Sequence, residues 1–254
     1  MTGEGINLNH EDSALNFSHS SKAAFRNWLI VTLGIAVLGV IQYLVANAVA
    51  MAHFPDGYSF SGNFLSDLGR STHDYSDFYN FSLIFLGIGL LPLFVSLMLV
   101  DPRDSFSMKL AAGFGCLTAM GIVGLGLTPI DKFFILHHIA LGVWLFPMFY
   151  MWIVFFYGAS RSTYVGIGFL SVSLLTVVVM LAVLLRSDST GYQVMQKMIV
   201  ACGLVWLVYI ISFIFQSGRV ILKSMRVPDM SRVEAEDEYF SEMYRQKAAR
   251  ERRT

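Results

Sequence analysis

Apolar residues in this chain gather into long continuous runs, with neither the alternation of strands nor the single stripe of a soluble helix. Six runs stand out, at 28–52, 78–100, 107–128, 138–157, 164–185 and 198–215, and Lys109 is the one Asp, Glu, Lys or Arg within them. A bilayer core needs about 20 consecutive apolar residues per helix. In lipid each backbone amide must be satisfied inside its own segment or in a closed barrel, and the lack of period-two alternation selects helices. The pattern predicts an all-α polytopic membrane protein with six transmembrane helices in one bundle over 28–218. It also predicts a disordered cytoplasmic tail over 1–27 and a charged cytoplasmic C-terminal helix and tail over 219–254.

Composition agrees: of 254 residues 55% are hydrophobic and 14% charged, against about 25% charged for soluble domains. Eighteen Lys and Arg balance eighteen Asp and Glu, so net charge gives no attraction to nucleic acid. The first run is longer than the 7–15 residue core of a secretory signal and lies behind a long polar segment, so it is read as retained. Lys22, Arg26, Arg103, Lys109, Arg161, Arg219, Lys223, Arg226 and Arg232 fall on one side of the spans, and only Arg70, Lys132, Arg186 and Lys197 on the other. The positive-inside rule then places both termini in the cytoplasm of a multi-pass protein, expected in the plasma membrane.

At the C-terminus Ser231 and Glu234 have capping-box spacing, acidic residues precede basic ones, and Val233, Phe240 and Met243 or Tyr244 form a thin apolar stripe. A helix over 231–250 is expected, either solvated or docked on a protein partner or on the bundle itself. Cys116 and Cys202 lie inside spans and read as small buried apolar residues. In the third run Ala111, Gly115 and Ala119 share one face, which marks a close helix contact, and Gly121, Gly124 and Gly126 point to a central position for that helix.

Polar residues are strongly one-sided. The loop after the first run carries Asn63, Ser66, Asp67, Arg70, His73, Asp74 and Asp77, the third run ends at Thr128-Pro129-Ile130-Asp131, and the fourth opens at His137-His138. Arg186, Asp188, Tyr192, Gln193 and Gln196 join them ahead of the last run. A helical turn from Asn63 to Leu68, closed by Gly69 in a left-handed cap, would put Asn63 and Asp67 on one face. His73, Asp77 and Asn80 have the spacing of a polar stripe leading into the second span.

Asn63-Phe64-Leu65-Ser66-Asp67-Leu68-Gly69, Phe78-Tyr79-Asn80, Gly87, Gly126-Leu127-Thr128-Pro129, His138 and Ala140 together resemble the domain-of-unknown-function 998 family of multi-pass membrane proteins. Ser66-Asp67-Leu68-Gly69 is similar, more distantly, to an element of the damage-regulated autophagy modulator family, which implies a loose tie to membrane lipids. The resemblance covers spans one to four best. It implies a six-span helical fold and no established reaction.

Three readings of the outer cluster follow. It is a structural clamp, in which Asp67 caps a helix or pairs with Arg70 or Arg186 and His138 bonds a carboxylate or loop carbonyl. It is a pocket for a lipid headgroup or small polar ligand, lined by Asn63, Ser66, Asp67, His73, Asp77, Asn80, Asp131 and His138. Or it is a zinc site of a membrane hydrolase built on His73, His138, Asp67 and Asp131. Against zinc, adjacent histidines diverge by about 100° on a helix and no HxxxH pair occurs. Membrane lipids are the expected partners, no cofactor is required by the binding reading, and the function expected is that of a lipid-associated or small-ligand-binding accessory protein. The most polar residues within the spans, among them Asn47, Asn80 and Thr118, are uncharged, and every other charge is placed at or beyond a span end, which speaks against ion-coupled transport.

Overall fold

The computed structural model describes residues 9–100, 106–159 and 189–224. Five long helices carry them: α1 (Asn9–Ala52), α2 (Ser76–Leu99), α3 (Phe106–Leu127), α4 (Phe134–Ala159) and α5 (Ser189–Ser224). A 3-10 helix over Leu65–Gly69 lies between α1 and α2. All five are long and apolar enough to cross a membrane, and no strand occurs among the described residues. Ile135 and Phe146 on α4 are 74% and 71% exposed, and Ile30, Leu38, Ile88 and Val208 are exposed on the other helices. An apolar surface on every helix suits lipid and not water.

α2, α3 and α4 bracket their predicted runs within a few residues. α5 carries the sixth run and is much longer than it, because Gln193, Gln196 and Lys197 before the run and Arg219 and Lys223 after it stay helical. Polarity ends an apolar run without ending a helix. α1 likewise starts at Asn9, inside the segment read as a disordered tail, although its membrane-length portion begins only at Ser21. Extending an existing helix adds one hydrogen bond per residue fixed, without a new nucleus, and Ala23 and Ala24 favour it. The run at 164–185 and the helix expected over 231–250 lie outside the described residues, so five helices and not six are counted.

α3 packs between α2 and α4. Ala111, Gly115 and Ala119 are buried as their spacing predicts, and a Cβ on Gly115 would lie 2.5 Å from the Phe94 ring. At Gly121 a Cβ would overlap the backbone of Val143 and Trp144, which fixes how closely α3 and α4 approach. α5 closes the bundle against α1, where Leu29 covers Gly218. On its inner side Trp206 stacks on Trp152 of α4, with ring centroids 5.2 Å apart. Cys202 is buried, Cys116 half-buried, and neither is in a disulfide.

Candidate functional site

The loop from His53 to Tyr75, the turn at 128–133 and the start of α5 meet at one end of the bundle, and their polar groups are spent largely on each other. Asp67 is the pivot of the 3-10 helix. One carboxylate oxygen accepts the Phe64 N–H at 2.8 Å, the returning half of a capping box. The other takes both Arg70 Nε at 3.0 Å and Nη2 at 2.9 Å. Its backbone carbonyl accepts from Arg70 N–H and from His73 Nδ1. Asn80 on α2 donates to Gly69 O at 2.9 Å, and Ser71 donates both its N–H and its hydroxyl to Asp131. The Ser71 hydroxyl bond, more than any other influence, holds the Asp131 carboxyl below its ordinary range.

Several expectations are corrected here. The turn spans Leu65–Gly69, so Asn63 lies outside it; the Asn63 side chain instead accepts the Ser59 N–H at 2.8 Å. Gly69 is not left-handed, since the positive φ values among the described residues belong to Asp56, Gly57 and Tyr75. Glycine is needed at 69 because a Cβ would overlap the Asn80 amide. The stripe of His73, Asp77 and Asn80 does not form: Tyr75, at φ 64°, turns the chain just before α2 starts, leaving His73 in the loop, Asp77 exposed and only Asn80 buried. Of the two arginines weighed for Asp67, Arg70 pairs with it, and Arg186 lies outside the described residues.

Lys197, which flanks the sixth run, is helical and buried instead of solvated. It lies inside the membrane-length part of α5 and is 6% exposed. Its ammonium donates to the carbonyls of Asn63 and Gln193 and sits about 5 Å from the ring centres of Tyr58 (5.3 Å) and Phe60 (5.0 Å). Next to it, the Gln196 side chain accepts the Leu65 N–H at 2.7 Å. The two residues fasten the approach to the 3-10 helix onto α5. Burial, with the charge of Asp67 behind it, pushes the Tyr58 phenol up to about 12.

The four candidate metal ligands do not converge. His73 bonds the Asp67 carbonyl, the exposed His138 bonds Phe134 O at 2.7 Å, and Asp131 is held by Ser71. Among the described residues no three His, Cys, Asp or Glu side chains come together as a metal site would require.

Beneath the 3-10 helix, between α4 and α5, is a cleft of about 430 Å³. Asp67, Arg70, His138 and Tyr192 line it together with apolar residues such as Leu141, Leu145 and Ile199. Ser66, Asp67 and His138 are the predicted pocket residues found there. Asn80 lines a deeper cavity in the bundle core, and Asn63, His73, Asp77 and Asp131 line neither. Among the residues left out of the predicted pocket is His137, which is 6% exposed, lines both spaces and has its Nδ1 on Thr128 O at 2.7 Å. A signal for it exists: Ala140, Leu141, Trp144 and Met148 recur at helical spacing from 137, and that face turns inward.

The model of a family described as a protein of unknown function (DUF998) matches residues 37–212, from within α1 to within α5. The chain belongs to this family. No curated protein and no solved structure matches it. The DUF998 match takes in the 3-10 helix, the Ser71–Asp131 clasp, Lys197 and both histidines, so the whole polar end of the bundle lies within the family's shared extent.

Proposed function

We propose that this DUF998 protein is a membrane-embedded binding protein for an amphiphilic molecule of the bilayer, a lipid or lipid-like compound, held in the cleft between α4 and α5. The observation that carries this reading is the cleft itself. Its rim has an ion pair and hydrogen-bonding side chains, its depth is apolar, and it opens at the polar end of a bundle that otherwise presents apolar residues to its surroundings. The Asp67–Arg70 pair and the Ser71–Asp131 clasp act in this reading as scaffold for the rim, and not as chemistry. In this reading the protein has six spans in the plasma membrane, and the imbalance of Lys and Arg between the two sides supports an orientation with both termini cytoplasmic and the cleft facing out.

Lipid analysis of the purified full chain tests the reading. After stringent delipidation in mild detergent, the wild type is expected to retain a defined amphiphile at near-stoichiometric amount, and Leu145→Trp, which fills the cleft, to lose it. Equal retention by the two proteins, or none by either, overturns the proposal.

A further inference from the structure

The cleft does not end at its apolar floor. Ser66, Ile130, His137, Leu141, Trp144 and Gln196 line both the cleft and the narrow cavity of about 90 Å³ that runs on into the core toward Trp152 and Trp206. The two spaces therefore adjoin at these residues, and a ligand with its head at the junction has a track for one apolar chain.

Three polar side chains stand at that junction, each with capacity its protein partners leave open. His137 Nδ1 is engaged with Thr128 O, which in the neutral ring makes Nε2 an acceptor. Gln196 has its carbonyl oxygen taken by Leu65 N–H, leaving the amide NH₂ as donor. The Ser66 hydroxyl has no hydrogen-bond partner among the described residues and serves as either. An acceptor, a donor and a hydroxyl together match a group that both donates and accepts.

Fixed charge at the rim is already compensated. Arg70 directs Nε and Nη2 to one oxygen of Asp67, and the Lys197 ammonium, which lines neither space, is engaged by two carbonyls. Neither an anionic nor a cationic head finds an unspent opposite charge there. Resting on the cleft reading above, we infer that the site recognises a single-chain amphiphile by an uncharged hydroxyl head, placed among Ser66, His137 and Gln196, with its chain directed along the Trp144 side of the core.

Trp144 and Trp152 line the inner cavity, so a chain entering it is read by tryptophan quenching. Trp28, which lines neither space and donates its Nε1–H to Ser96 Oγ of α2, is removed as background by Trp28→Phe. The full chain in nanodiscs is titrated with a chain-brominated long-chain alcohol, its methyl ether, and the fatty acid of the same length at neutral pH. The alcohol is expected to quench saturably and to bind about tenfold more tightly than the ether, the usual scale for a buried polar group left unmatched. Ser66→Ala, which breaks no hydrogen bond within the protein, and Gln196→Leu should each narrow that preference without abolishing ether binding. Equal binding of alcohol and ether overturns hydroxyl recognition and leaves the cleft reading standing. Tighter binding of the fatty acid overturns it in favour of a charged head. Saturable quenching by none of the three overturns the cleft reading as well.

Discussion

Asn80 of α2 donates its side-chain amide to Gly69 O, while its amide oxygen fills the space a Cβ on Gly69 would need. One side chain thus both ties the 3-10 helix to the bundle and dictates glycine eleven residues earlier. Gly69→Ala must displace Asn80 and is expected to cost about 1–3 kcal/mol, the range for inserting a methyl group into a packed site. Asn80→Ala leaves Gly69 O buried without a donor, at a similar cost. In the double variant the clash is absent, so its loss in thermal stability in detergent should be clearly smaller than the sum of the two singles. Strict additivity would mean that the two residues do not act through each other.

The α3–α4 seam gives a sharper contrast between glycines. A Cβ at Gly121 meets backbone atoms of Val143 and Trp144 and cannot be accommodated by a rotamer change, whereas nothing lies within 4 Å of one at Gly113. Gly121→Ala should lower stability by about 3 kcal/mol or separate the helices outright. Gly113→Ala should be neutral or gain about 0.5–1 kcal/mol from helix propensity. Size-exclusion profiles and thermal melts of the two variants, purified side by side, check this.

What could be read in advance divides along physical lines. Spans declare themselves because burial in lipid needs an unbroken apolar run, and the Ala111, Gly115, Ala119 face because close approach needs small residues at helical spacing. Asp67 as cap and partner of Arg70 was legible too, since both contacts are local in sequence. Lys197 and Gln196 were not, since their roles depend on chain segments more than 130 residues away. Helical geometry requires that His137 and His138 point in different directions, and the apolar residues Ala140, Leu141, Trp144 and Met148 at helical spacing from 137 mark His137 as the inward one. Lys197 was counted as a flanking charge because hydropathy cannot see two carbonyls and two rings waiting for an ammonium.

That coordination makes a prediction about the loop. Lys197→Met keeps an apolar stem of similar length but leaves the Asn63 carbonyl without its donor, and hydrogen bonds from charged groups contribute about 1.5–3 kcal/mol. The loss should be local: amide hydrogen exchange is expected to rise across residues 58–66 while α2 and α3 keep their protection. Unchanged exchange in that loop would show that Gln196 alone fastens it.

The Ser71–Asp131 clasp ties the loop to the α3–α4 turn through a carboxylate, so it should respond to acid. The folded state holds the Asp131 pKa below its ordinary value of 3.8. A depressed carboxylate pKa contributes stability that is complete above the unfolded value and disappears as pH falls through the folded one. The contribution is therefore intact at neutral pH and lost only below about pH 4, and it is small because the group is solvent-exposed. Melting temperatures of the wild type and Asp131→Asn, measured from pH 7 to pH 2, should differ at the upper end and converge at the lower. A constant gap across the whole range would mean that the carboxylate's charge has no part in the clasp.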